Sequence, residues 1–162
     1  MTNVRMGDLI SYQRARFATR LPARRRYTMT HCWLQPEPGG IWRVGFTALA
    51  AWLLGDAVEF RFSAEPGATV LAGHEIGWVE GLKSVATLYG AVQGEFLGAN
   101  DALAADITGL TSDPYERGWL YRVRGEPSPD CLDVRSYVAL LDQTVDEVIR
   151  NRQDECEGDC GG

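Results

Sequence analysis

Between Pro66 and Gly98 the chain meets a turn signal every few residues: Pro66-Gly67, Ala72-Gly73, Gly81, Gly90, Gly94 and Gly98. No helix of ordinary length fits between such breaks, so this stretch can only be short antiparallel strands closing into a small barrel or sandwich. The flanks agree. Tyr27–Leu34 reads as a strand, Pro36-Glu37-Pro38-Gly39-Gly40 as a turn and Ile41–Phe46 as the returning strand. Thr47 is placed to cap a short helix, Ala48 to Leu54, stopped by Gly55. Val58-Glu59-Phe60-Arg61-Phe62 alternates as a half-buried strand does. Asn100 caps a second short helix through Ala105, and Trp119–Val123 is a last strand. Only after Pro127-Ser128-Pro129 does helical spacing persist. Asp133 caps that helix, and Val134, Tyr137, Val138, Leu141, Val145 and Val148 mark its apolar face.

With 162 residues and 45% hydrophobic content, one compact domain is expected and two would be cramped. The net charge of −6 is unevenly spread. Residues 1–26 hold seven arginines and a single acid, Asp8, so the remaining body is strongly acidic. Such a body argues against nucleic acid as the main partner and suits docking on basic protein surfaces. The arginine-rich segment fits either an ordered arm lying on an acidic domain or a mitochondrial targeting segment, although it has few serines. No apolar run is long enough to span a membrane, so a cytoplasmic protein is expected, or a mitochondrial one if the arm is a targeting signal. The four cysteines, Cys32, Cys131, Cys156 and Cys160, form no four-ligand zinc pattern, and no metal site is expected. His74 and the tryptophans Trp42, Trp78 and Trp119 are read as structural. Cys156 and Cys160, crowded by Asp154, Glu155, Glu157 and Asp159, should be sluggish thiols in a frayed acidic tail.

The chemistry concentrates on Lys83, the sole lysine among 16 basic residues. Arginine can replace lysine electrostatically, but its guanidinium does not form amides readily, so a single retained amine points to modification there. Trp78–Val85 reads as strand, tight turn and strand with the lysine at the tip, and Gly81 is expected to allow the turn. Glu80 offers a charged handle beside the target. Gly73 lies ten residues before the lysine and Gly94 eleven after, which suits two matching arms of a flattened barrel.

These residues carry a family resemblance. Val79-Glu80-Gly81-Leu82-Lys83-Ser84-Val85-Ala86-Thr87-Leu88-Tyr89, followed by Val92-Gln93-Gly94-Glu95, resembles the lipoyl-attachment segment of glycine cleavage H-proteins. Tyr27-Thr28 with His31-Cys32-Trp33-Leu34, Arg43–Thr47 with Leu54-Gly55-Asp56, and Asp113-Pro114-Tyr115 with Gly118-Trp119-Leu120 are similar to further family segments in the same order. The resemblance spans residues 27–125. It implies a mostly β lipoyl-type flattened barrel, a hammerhead or barrel-sandwich hybrid of two antiparallel sheets, with short flanking helices and a longer C-terminal helix. The expected divisions are an arm (1–26), the lipoyl domain (27–125), the packed helix (126–152) and the tail (153–162).

The resemblance further implies lipoate amide-linked to Lys83, with Glu80 and Gly81 read by the lipoylating enzymes and His31 lining the cleft for the loaded arm. Biotin is disfavoured because Leu82 and Ser84, not methionines, flank the lysine. The protein would be no enzyme. It would be an aminomethyl carrier, loaded by a lipoate ligase or lipoyl transferase and visiting glycine decarboxylase, aminomethyltransferase and dihydrolipoyl dehydrogenase. Cys32 stands where the family has glutamate, and the flanks exceed the family pattern. These departures leave open a sulfur-oxidation lipoate-binding protein or a carrier linked to ADP-ribosylation. An unmodified interaction module is the alternative of a different class.

Overall fold

The computed structural model describes residues 8–160, with side chains through Arg152. In chain order the elements are β1 (Leu9–Arg14), β2 (Phe17–Pro22), β3 (Arg26–Tyr27), β4 (Cys32–Glu37), β5 (Ile41–Phe46) and α1 (Ala48–Leu54). There follow β6 (Ala57–Phe62), β7 (Thr69–Val70), β8 (Glu75–Gly81), β9 (Val85–Tyr89) and β10 (Val92–Ala99). The chain ends with α2 (Asp101–Ala105), α3 (Gly109–Ser112), β11 (Trp119–Pro127) and α4 (Val134–Cys160). All strand pairs are antiparallel and fall into three sheets: β3-β4-β5-β11-β10-β7, β6-β8-β9, and the hairpin β1-β2.

The six- and three-stranded sheets enclose one core. Leu34, Val44, Phe46, Val92, Phe96 and Val123 come from the first, and Ile76, Val79 and Leu88 from the second. A second core lies under α4. There Tyr12, Phe17 and Leu21 of the N-terminal hairpin meet Tyr27, Trp33, Leu49 and the α4 residues Val134, Tyr137, Leu141 and Val145. Helix α1 joins the two, since Leu49 enters the second core while Ala51 and Leu54 enter the first. A seven-residue helix is too short to hold itself together in water, so packing on both sides is what maintains it.

The caps form where the residue types require them. The Thr47 side chain accepts from the Ala50 amide, Asn100 from Leu103 and Asp133 from Ser136. Gly55 ends α1 at φ 77° and ψ −161°, a conformation closed to side-chain-bearing residues.

Several expectations are corrected. Tyr27–Leu34 is not one strand: Tyr27 pairs with Trp33 across a turn at residues 28–31, with His31 at φ 65°. The threonines read as strand formers build the turn instead, since Thr28 Oγ1 accepts from the Cys32 amide and bonds Thr30 Oγ1. Val58 points to solvent because a register shift between Ala57 and Glu59 breaks the strand's alternation. The fully buried tryptophan is Trp33. Trp42 and Trp119 are half-buried beneath arginines: Arg26 lies over Trp42, and Arg43 and Arg122 over Trp119.

The arginine-rich arm is largely the β1-β2 hairpin. Its contacts with α4 are polar as well as apolar: Tyr12 donates to Asp142, and Arg14 pairs with Asp142 and Asp146. The backbone of α4 continues to Cys160, where a frayed tail is expected from the sequence. The reactivity expected of Cys156 and Cys160 lies outside the described residues.

Candidate functional site

Lys83 is exposed at the tip of the β8-β9 hairpin, in a four-residue loop bounded by the pair Glu80 and Val85. The Gly81 amide donates to the Ser84 carbonyl and closes that loop. Three further bonds fasten the tip to the end of α1. The Lys83 amide donates to Leu54 O at 3.0 Å, Ser84 Oγ to Leu53 O at 3.1 Å, and the Leu82 amide to Asp56 O at 2.9 Å. Helix α1 ends with carbonyls that have no partner of their own, and the lysine hairpin supplies the missing donors. The lysine's backbone is therefore held while its side chain remains outside.

Two glycines make this approach possible. A Cβ on Gly55 would lie 2.8 Å from Lys83 Cγ and 3.2 Å from Cδ, so the lysine stem crosses a surface that only glycine leaves open. A Cβ on Gly81 would overlap the Leu54 carbonyl oxygen and side chain. Gly81 does not have a positive φ, which corrects the expectation that it frees the turn. It is needed because α1 packs directly against it.

From Lys83 a groove of about 380 Å³ runs along α1, lined by Ala48, Ala51, Trp52 and Gly55 on one side and by Arg16, Phe17 and Ala18 on the other. Leu82 and Val85 flank the lysine and are 74% and 65% exposed. Glu80 is half-buried one residue before Gly81.

His31 sits at the opposite end of α1, where its carbonyl accepts from the Thr47 amide. A seven-residue helix spans about 10 Å, so α1 holds His31 and Lys83 apart. The His31 ring bonds the Tyr137 hydroxyl through Nδ1 at 2.9 Å, and Tyr137 in turn bonds Thr47 Oγ1 at 2.7 Å. Burial lowers the His31 pKa to about 4, so the imidazole is neutral near pH 7. Cys32 faces the other way, into the two-sheet core, where burial pushes its thiol up to about 12. It is a packing residue and offers no thiolate.

The sequence singles out Lys83 but not the residues that hold its hairpin. Nothing local in Ser84, Leu53, Leu54 or Asp56 marks them as partners of one another. The only signal was Gly55 directly after an uncharged helix, and nothing in the chain says that this glycine meets a lysine 28 positions on. Among the described residues no His, Cys, Asp or Glu cluster could hold a metal ion. Nor is any described helix long and apolar enough to cross a membrane.

The residues at the tip suit an amide-linked arm. The stem is exposed, its root is fixed, Gly55 forms a cradle that any side chain would fill, and a groove of mixed polar and apolar lining begins at its base. A two-sheet antiparallel core that offers one lysine on a fastened hairpin tip is the architecture of a lipoyl-type carrier domain. The family model for glycine cleavage H-protein matches residues 25–142. The chain belongs to the glycine cleavage H-protein family.

Glycine cleavage system H proteins of Enterobacter sp. (strain 638) and Escherichia coli O45:K1 (strain S88 / ExPEC) are each 37% identical over 125 residues. Those matches cover 75% of this chain and 96% of each relative. The crystal structure of a glycine cleavage system H protein from Mycobacterium marinum superposes with a TM-score of 0.67 at 35% identity, covering 74% of this chain and 97% of that one. The matched segment takes in the start of α4 but not the β1-β2 hairpin.

Proposed function

We propose that Lys83 carries lipoate in amide linkage and that the protein serves as the lipoyl carrier of a glycine cleavage system. Glycine decarboxylase, aminomethyltransferase and dihydrolipoyl dehydrogenase would be the partners served by the arm. A lipoate ligase or lipoyl transferase would attach it, in the compartment that holds those enzymes. The observation that carries this reading is the sole lysine of the chain standing on a hairpin tip fastened to α1, in a chain of the H-protein family.

The bound group supplies reversible dithiol chemistry, and the protein's residues do the rest. The Leu53, Leu54 and Asp56 carbonyls fix the root of the arm, so a modifying enzyme meets one backbone shape. Glu80 marks the target with a charge. Gly55 leaves room for the lysine stem, and Gly81 lets the hairpin pack against the end of α1. Burial keeps His31 neutral and the Tyr137 hydroxyl orients it at the far end of the same helix, where it would line the cleft for a loaded arm. Tethering keeps a carried group at an effective concentration on the order of mM for each partner in turn. The load then need not leave the complex and be captured again.

Expressed with a lipoyl ligase and free lipoate, the protein should gain the mass of one lipoyl group, and Lys83→Arg should abolish the gain. The lipoylated form, and not the unmodified one, should support exchange of bicarbonate into glycine with a decarboxylase. A wild-type chain that gains no lipoyl mass with several ligases, or a lipoylated chain inert in the exchange, would refute this reading.

A further inference from the structure

The β1-β2 hairpin lies outside the matched family segment, and its two faces treat arginine in opposite ways. Toward α4 it presents Tyr12, Phe17 and Leu21, and the arginine on this side, Arg14, pairs with Asp142 and Asp146. On the other face Ser11 stands opposite Arg20 and Gln13 opposite Ala18, and all four are exposed. Arg16 is exposed in the turn at the hairpin tip. Neither Arg16 nor Arg20 pairs with a carboxylate among the described residues. At the base of the hairpin, the Arg24 side chain is 86% exposed and reaches Asp8 at 3.5 Å.

These free cations run against the charge of the molecule. Residues 27–162 carry more than twice as many acids as bases, and elsewhere arginines such as Arg25, Arg43 and Arg122 have found acidic partners. Between Leu9 and Pro22 no acid occurs at all. The outer face is therefore left free to meet carboxylates of another molecule.

Its position says which molecule. Arg16 and Lys83 line the same groove. Around the lysine, Leu82, Val85 and Val58 are exposed, with Val58 in the bulge opposite Gly81 and Glu80. An apolar centre bordered by charge is the anatomy of a protein interface. A protein that takes a group from Lys83 must cover that centre, and its surface then reaches Arg16. Arg20 follows four residues on, about 13 Å along an extended chain. An interface of ordinary size, about 800 Å² on each side, extends that far.

We infer that the outer face of the N-terminal hairpin, Arg16 and Arg20 with Arg24 at its base, docks an acidic surface beside the arm-receiving site of a partner enzyme. This inference rests on the carrier function proposed above. Charges at the rim of an interface set encounter rate and orientation more than affinity. The stripe thus turns Lys83 toward the partner and selects an enzyme that bears the matching acids.

The test uses the full-length lipoylated chain, with attachment verified by intact mass, as the varied substrate of glycine decarboxylase, aminomethyltransferase and dihydrolipoyl dehydrogenase in turn. Melting curves verify that each variant is folded. At low ionic strength the double variant Arg16→Glu/Arg20→Glu should raise KM about fivefold with at least one enzyme and leave kcat unchanged. Arg20→Glu alone should raise it about twofold, and Arg16→Gln/Arg20→Gln should fall between wild type and the double reversal. All these differences should close at about 0.5 M salt, where exposed charges are screened. Arg124 pairs in register with Ile41, at the end of β5 remote from α1, so Arg124→Glu makes the same change in net charge away from the stripe and should leave KM unaltered. Equal KM for wild type and the double reversal with all three enzymes, or an equal rise in Arg124→Glu and Arg20→Glu, would overturn the inference and leave the carrier function standing. So would a salt-sensitive dimer of the chain that Arg20→Glu abolishes, since the acidic body of a second copy would then be the occupant. Absence of the lipoyl mass, or a lipoylated wild type inert with the decarboxylase, would instead refute the proposed function.

Discussion

The core beneath the lysine hairpin and the core beneath the N-terminal hairpin are held by different means. The first is closed by two sheets and filled with aliphatic and phenylalanine side chains, with Tyr121 the only buried tyrosine. The second joins the N-terminal hairpin, strands β3 and β4 and two helices, and it relies on oriented polar contacts. Tyr27 and Tyr137 stack at 4.5 Å, Tyr12 donates to Asp142, and buried Arg25 bonds Glu116 and the Tyr115 carbonyl while lying over Trp33. Sheets facing each other bury area without needing side-chain bonds, because their backbone groups are already paired. A hairpin laid across helices has no shared ladder with them, so directed contacts must fix its position. The proposed carrier chemistry sits on the first arrangement, and the hairpin that lies outside the matched family segment sits on the second.

The largest expected effect tests whether the two cores are independent. Leu88→Ala in the first and Leu141→Ala in the second should each cost about 2–5 kcal/mol, since both leucines are fully buried. Because α1 contributes to both, urea unfolding of either variant should remain one transition by tryptophan fluorescence and far-UV circular dichroism. Separated transitions would show two cooperative units instead of one.

Next in size is a pH effect confined to the second core. The folded protein holds His31 at a pKa of about 4, below its ordinary 6.5. The unfolded chain therefore binds more protons between these values, and stability rises with pH across that window. The contribution is fully present above pH 6.5 and is lost as pH falls toward 4, to a total of about 3 kcal/mol. His31→Gln should flatten this slope in melts followed from pH 7 to pH 4. An unchanged slope would assign the acid sensitivity to other groups.

A smaller effect belongs to the lysine hairpin. Gly81→Ala must move Leu54 or the hairpin tip, at a cost of about 1–3 kcal/mol. It should also slow lipoylation, because the same displacement loosens the bonds to Leu53 and Leu54. Normal lipoylation in a destabilised Gly81→Ala protein would separate tip geometry from recognition.

The smallest change is expected at Arg14, whose pairs with Asp142 and Asp146 are partly exposed. Arg14→Ala should lower the melting temperature slightly at low salt and negligibly at high salt, since exposed pairs are screened. A large, salt-independent loss would mean that the hairpin depends on this one residue for its position.

Much of this protein was written locally. Thr47, Asn100 and Asp133 cap the helices they were expected to cap, because a cap needs only its own residue and an amide two or three positions on. That the body would be short antiparallel strands followed from turn spacing, its division into facing sheets from the family resemblance, and the lone lysine at a glycine-marked hairpin from composition. Where local preference met a competing local bond, the reading failed: Thr28 and Thr30 favour strands, yet their hydroxyls closed a turn. What the tertiary structure alone decided are the relations between distant segments. Gly81 abuts Leu54, Gly55 receives the stem of Lys83, and Phe17 meets Trp52 across a groove. No periodicity encodes such meetings, because each depends on where two separately folded elements come to rest. Sequence singled out the lysine proposed to bear the chemistry, and only packing could show that the end of a helix holds its hairpin in place.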